Sequence, residues 1–217
     1  LLDINDNHFM LGLINQREVH LLNQDGHVKI EPLDSVQNMD SIKSSKYLSI
    51  SRKFVLFPKN HTDDRIEQYF PIYPNEQVIH DFKDQSNYQV SYVINKAFVN
   101  FFKQGHHAAS FINELTSHVI CNDQTCTFIL LLHNHAVVMT KRLNDYLFFN
   151  IFEFDQTEEL LYYITQLYLH LNIDREVGRI VFMGEIDTES KIYDLFSVYF
   201  RHLEIDKSLI FKSLIES

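Results

Sequence analysis

A pattern of short strands followed by a helix is written twice in this chain, and the repeat constrains the fold more than any single motif. In the first copy, residues 1–30, an apolar run at 8–15 is followed after Gln16-Arg17-Glu18 by a second at 19–22. Asp25-Gly26 then marks a hairpin turn, because glycine accepts positive φ cheaply. In the second copy, residues 125–171, strands are expected at 125–132, 136–142 and 146–154. A helix follows from Thr157, with Glu158 and Glu159 suited to its positive N-terminal end. Copies about 120 residues apart imply one supersecondary unit used twice. The chain of 217 residues can bury a core as one large domain or as two of roughly 100 residues.

Between the copies the reading is coarser. Val36, Met39 and Ile42 give one weak helical face over 34–46, and residues 53–57 before Pro58 read as a buried strand. A short helix is expected over 61–70, opened by Thr62-Asp63-Asp64. Residues 71–87 hold two of the four prolines and read as an irregular excursion, before a strand at 88–94. Ala97, Phe98, Phe101 and Phe102 suggest a helix ended by Gly105, with an extended piece at 107–109 and a helix over 110–120. After the second copy come a strand at 179–183 and an amphipathic helix at 189–200. Strands alternating with helices after an antiparallel meander imply α/β architecture, a mixed sheet covered by helices. The expected fold is a duplicated ribonuclease H-like one, residues 1–120 forming the first subdomain, with 71–87 irregular within it, and 121–217 the second.

Composition excludes several functions. Hydrophobic residues at 45% and aromatics at 13% rule out a disordered chain. Nineteen Lys and Arg against 29 Asp and Glu leave a net charge of −10, which opposes long-range attraction to nucleic acid or an anionic membrane. The longest apolar run, 128–132, is far short of the ~20 residues of a membrane span. Cys121 and Cys126 have no spacing that suggests a disulfide framework, so a reducing cytoplasm is expected.

Residues 125–154 resemble the second half of bacterial actin-like proteins, such as those that assemble type IV pili and the division ring. The succession LSISRKFVLFP, YQVSYVINKAFVNFF, YLFFNIFEFDQTEELLYYI and RIVFMGEIDTESKIYDLFSVYF more closely resembles an uncharacterised bacterial family of unknown function with an actin-like ATPase fold. The resemblance covers roughly residues 47–200 and, more weakly, the first thirty. It implies that two hairpins carrying Asp and Gly hold the phosphates of ATP, with Asp ordering Mg²⁺ through its water shell. The first would be Leu2-Asp3-Ile4-Asn5-Asp6-Asn7-His8, where Asp3 matches and Asn5 replaces glycine. The second, Leu131-Leu132-His133-Asn134-His135-Ala136, has neither residue. The strand-to-glycine element that contacts adenosine is answered by Phe182-Met183-Gly184-Glu185-Ile186, where one glycine remains and Glu185 repels phosphate. The resemblance therefore implies an inherited fold with degenerate ATPase chemistry. Asp3, Asn134 and Gly184 are the residues that would line a nucleotide cleft if ATP and Mg²⁺ were retained.

His118, Cys121, Cys126, His133 and His135 fall within eighteen residues, but their irregular spacing favours buried thiols and turn histidines over a tetrahedral zinc site. His106-His107 reads as a polar helix exit. No Gly-x-Ser-x-Gly, Walker loop or Gly-x-Gly-x-x-Gly is present, and only five glycines occur. Glu153 and Asp155 could pair as acid and base, although closing a strand and capping the next helix explains them better. Tyr162, Tyr163 and Tyr168 on the long helix point to core or interface. The expectation is a cytoplasmic interaction scaffold with no ATP hydrolysis, no cofactor and no metal, bound to a protein partner or to itself. The alternative is a nucleotide-binding switch or ATPase.

Overall fold

The computed structural model describes residues 9–14, 18–23, 28–32, 46–58, 65–81, 88–99, 105–116, 119, 121, 124–143, 145–184 and 186–206. They fall into two units, Leu1–Phe111 and Ile112–Ser217. In the first, β1 (Phe9–Ile14), β2 (Glu18–Asn23) and β3 (Val28–Pro32) form an antiparallel meander. β4 (Lys46–Ser49) then lies parallel to β1. β8 (Gly105–His107) is parallel to β4 on its far side, giving the order β3-β2-β1-β4-β8.

The second unit repeats this topology. β9 (Thr125–Leu132), β10 (His135–Arg142) and β11 (Asp145–Glu153) are antiparallel neighbours, and β12 (Arg179–Gly184) and β13 (His202–Ile205) run parallel to β9. The order is β11-β10-β9-β12-β13. Numbered within each unit, both sheets read 3-2-1-4-5, with three antiparallel strands followed by two parallel ones, which is the ribonuclease H-like arrangement. The repeat visible in sequence is thus a repeat of sheet topology.

The burial of β9 explains why this unit was so legible. Every residue of Thr125–Leu132 is buried, as a central strand covered on both faces requires. Ile129, Leu131, Ala136, Val138, Ile180 and Phe182 face a helical layer, where they meet Leu160, Ile164 and Phe196. Each of the larger side chains contributes about 2 kcal/mol by leaving water. The layer is α2 (Thr157–His170) and α3 (Lys191–Ser197), following α1 (Ala108–Leu115), within which the boundary between the units falls. In α2 the buried positions Leu160, Leu161, Ile164, Leu167 and Tyr168 recur at helical spacing.

Helix starts differ from expectation in one instructive way. The N-cap residue of α2, Gln156, makes no side-chain cap hydrogen bond, and Glu159 reaches back, its Oε2 accepting the Asp155 N–H at 3.0 Å. In α3 the hydroxyl of Ser190 accepts the Tyr193 N–H. Ser190→Ala should cost about 1 kcal/mol. Thermal unfolding of the second unit should then begin a few degrees lower, because α3 carries the fully buried Phe196.

Between β4 and β8 the chain makes a separate antiparallel sheet of order β5-β7-β6. Its strands are β5 (Phe54–Pro58), β6 (Glu76–Asp81) and β7 (Tyr88–Asn95). β7 is the central strand and is buried from Gln89 to Ile94. This corrects the expected excursion at 71–87, where β6 is an edge strand. β6 is polar because only its hydrogen bonds to β7 and half-buried packing hold it. β5 is half-buried rather than buried, with Phe57 its core residue. Among the described residues of 61–70 only a 3-10 turn forms, Ile66–Gln68, in place of the expected helix. The ammonium of Lys53 closes this region, 2.8 Å from both oxygens of Glu76. The expected helix at 34–46 lies outside the described residues, save for Lys46, which opens β4.

Candidate functional site

In the second unit the residues singled out for a nucleotide converge on one end of the sheet. His133 and Asn134 form the turn between β9 and β10, and Gly184, the last residue of β12, is the register partner of Leu131 near the end of β9. His133 adopts φ 54°. The carbonyl of Asn134 accepts the Phe154 N–H at 2.9 Å, which ties the turn to the strand end of β11. The Asn134 side-chain oxygen is buried with no hydrogen-bond partner among the described residues. Asp3 and the segment 2–8 lie outside the described residues, as does Glu185. The hairpin between β1 and β2 joins Ile14 to Glu18.

Gly184 is required here by its own strand neighbour. It adopts φ +93°, and a Cβ added to it would stand 2.1 Å from the Leu131 carbonyl oxygen. Among the described residues, the His133-Asn134 turn has neither the Asp nor the Gly of the phosphate-binding pattern.

A second group of polar residues, in the first unit, was not foreseen. His107, read as part of a helix exit, ends β8 and is completely buried between Phe54 and Tyr92, with both ring centroids 4.8 Å away. Its Nε2 lies 2.9 Å from the Ser51 carbonyl oxygen, and its Nδ1 accepts the Ala109 N–H at 3.1 Å. Together these contacts select a neutral ring protonated at Nε2. Burial holds its pKa down at about 4, against smaller opposing effects of Ser51 and the Asp81 charge. The Asp81 carboxylate accepts from His106 Nδ1 and the His107 N–H, both at 3.0 Å. Burial pushes Asp81 up, but His106, Ser110 and the His107 N–H outweigh it and hold the carboxyl below the ordinary range. No sequence signal announces this cluster, because it is assembled from three distant segments.

The residues of the metal reading separate. Cys121 and Cys126 come together near the start of β9, whereas His133 and His135 sit beyond its other end, and His118 lies outside the described residues. Among the described residues no three His, Cys, Asp or Glu side chains cluster closely enough to hold a metal ion. The tyrosines of α2 divide as well. Tyr168 is buried against Phe200, Tyr163 stacks on Phe152 at 4.8 Å, and Tyr162 is 60% exposed.

A family described as protein of unknown function, DUF3822, matches residues 52–203. The chain belongs to that family. No curated protein matches this DUF3822 chain in sequence. Among solved structures it is similar to a Bacteroides thetaiotaomicron protein with an actin-like ATPase fold and unknown function, at 12% identity and a TM-score of 0.72, each chain covered completely. It also matches the PilM–PilN type IV pilus biogenesis complex, at 8% identity and a TM-score of 0.47, covering 90% of this chain and 87% of that one. A third match is the cytoplasmic domain of EpsL, an inner membrane component of the Vibrio cholerae type II secretion system, at 8% identity and a TM-score of 0.46, covering 96% and 93%. The DUF3822 chain thus has the actin-like ATPase fold, in agreement with its duplicated sheets. Fold alone assigns no activity.

Proposed function

We propose that this DUF3822 chain is a cytoplasmic protein-interaction scaffold that keeps the actin-like fold without hydrolysing ATP. The observation that carries the reading is the His133-Asn134 turn, which has neither the Asp nor the Gly of a phosphate-binding hairpin. A protein partner, or a second copy, is supported by large apolar side chains left in water, among them Tyr162, Leu169 and Val198, the last 76% exposed. The net charge of −10 argues against nucleic acid. Among the described residues no helix is long and apolar enough to cross a membrane. Both cysteines are free thiols, as a reducing compartment keeps them.

Calorimetric titration with Mg²⁺-ATP tests this directly. No saturable heat at millimolar nucleotide is the expected result, together with a molar mass in light scattering that rises with protein concentration. Saturable binding that Asp3→Ala removes would replace the scaffold with the nucleotide-switch reading.

A further inference from the structure

Among the described residues, Leu169, Val177, Val198 and Tyr199 stand in water at one end of the second unit, where α2 and α3 finish and β12 and β13 begin. They come from three stretches of chain that meet on one buried residue, Tyr168 of α2. Its ring lies 5.0 Å from that of Phe200, its carbonyl accepts the Ile173 N–H at 2.8 Å, and a Cβ added to Gly178 would stand 2.8 Å from the ring. Leu169, Val177 and Tyr199 are the immediate chain neighbours of Tyr168, Gly178 and Phe200. The Arg201 N–H, donating to the Arg175 carbonyl at 3.4 Å, ties two of the stretches together. Apolar side chains gathered in this way mark an interaction surface.

The surface is held in shape before anything covers it. The Asp174 carbonyl accepts the N–H groups of Val177 at 3.1 Å and Gly178 at 2.7 Å, and its carboxylate accepts the Glu176 N–H at 2.9 Å. Val177 is thus presented from a closed turn. Val198 caps α3, its N–H returning to the carbonyls of Leu195 and Phe196. Positions fixed like this lose little backbone freedom when covered, which lowers the cost of association.

Charge decides what covers it. Residues 169–177 and 198–201 carry Arg175 and Arg201 against Asp174 and Glu176, so they are neutral and the whole net charge of −10 lies elsewhere in the chain. A nucleic acid or an anionic membrane needs an excess of cations, which these residues do not supply. A strongly basic partner is drawn instead to the acidic remainder. In a two-fold dimer one patch meets itself, and the meeting is favourable where the patch holds both signs, so that an Arg of one copy faces an acid of the other. Arg175 and Glu176, adjacent and both exposed, supply that pairing. At this end two acidic chains can touch without opposing like charges. We infer that the surface is a homodimer interface: a second copy of the chain packs on Leu169, Val177, Val198 and Tyr199 about a two-fold axis, Arg175 of each copy facing Glu176 of the other. The inference rests on the scaffold reading and names its partner.

The test is sedimentation of the full chain across micromolar concentrations. A reversible monomer–dimer equilibrium with no larger species is expected, because a two-fold contact closes on itself. Val198→Glu should weaken dimerisation about a hundredfold, since symmetry places two unpaired carboxylates in one interface. Circular dichroism should stay native, as the side chain is 76% exposed. Arg175→Glu and Glu176→Arg should each self-associate about tenfold more weakly, yet dimerise with each other at the native strength when mixed. A strict monomer, a dimer that Val198→Glu leaves intact, or charge variants that gain nothing on mixing would each overturn the interface. None of these results bears on Mg²⁺-ATP binding, so the scaffold reading is judged separately by its calorimetry.

Discussion

Gly184→Ala should lower the stability of the second unit by roughly 3–5 kcal/mol, as strain and an unavoidable clash act at one position. The backbone at φ +93° is one that an L side chain rarely takes. The added Cβ would also meet the Leu131 carbonyl at 2.1 Å and its carbonyl carbon at 3.0 Å. That backbone cannot retreat easily, because β9 is hydrogen-bonded to β10 on one side and β12 on the other. Gly178→Ala is the control. Its Cβ would meet the Tyr168 ring at 2.8 Å and the Ile173 side chain at 2.9 Å, and side-chain ends can shift. Amide hydrogen exchange on β9 and β12 reads the difference locally. Equal protection losses in the two variants would show that β12 does not end as described.

Acidification should weaken the first unit by about 3 kcal/mol between pH 6.5 and pH 4, because His107 is held neutral in the folded state. The unfolded imidazole takes a proton near its ordinary 6.5, whereas the folded one resists until about 4. Within that window the unfolded chain binds more protons, so stability rises with pH. The contribution is complete above 6.5 and is lost as pH falls through the folded value. Asp81, with its carboxyl held low, adds a loss of the same sign below 3.8. Denaturant midpoints of the first unit across this range should fall in the native chain and flatten in His107→Gln, which keeps a side-chain donor but cannot titrate. Parallel slopes in both proteins would remove His107 as the cause.

Much of the second unit was legible because its strands carry their own signals. β9 is a continuous apolar run and was bounded correctly to the residue, and β12 was found one residue short. β13 was missed. Its sequence, HLEI, is four half-exposed residues whose strand identity comes from pairing with β12. β6 was misread for the same reason, since an edge strand takes its structure from a neighbour. The buried histidine was beyond reach because Ser51 and Asp81 lie 56 and 26 residues from it in sequence. Gly184 stands out in sequence as the glycine of an adenosine-contacting element, whereas its clash with the Leu131 backbone comes from the pairing of β12 with β9.

Among the described residues, the two halves differ where the fourth strand crosses to the fifth. In the second unit that crossover holds α3, and Arg179 pairs with His202. In the first it holds a whole three-stranded sheet, and Tyr47 pairs with Gly105. The ladder between the two strands is of the same kind in both cases, because parallel neighbours fix only where the chain leaves and re-enters the sheet. Closing the longer excursion adds only about 1 kcal/mol of chain entropy. Evolution can therefore lengthen or exchange this crossover in one copy without disturbing the framework that both copies share.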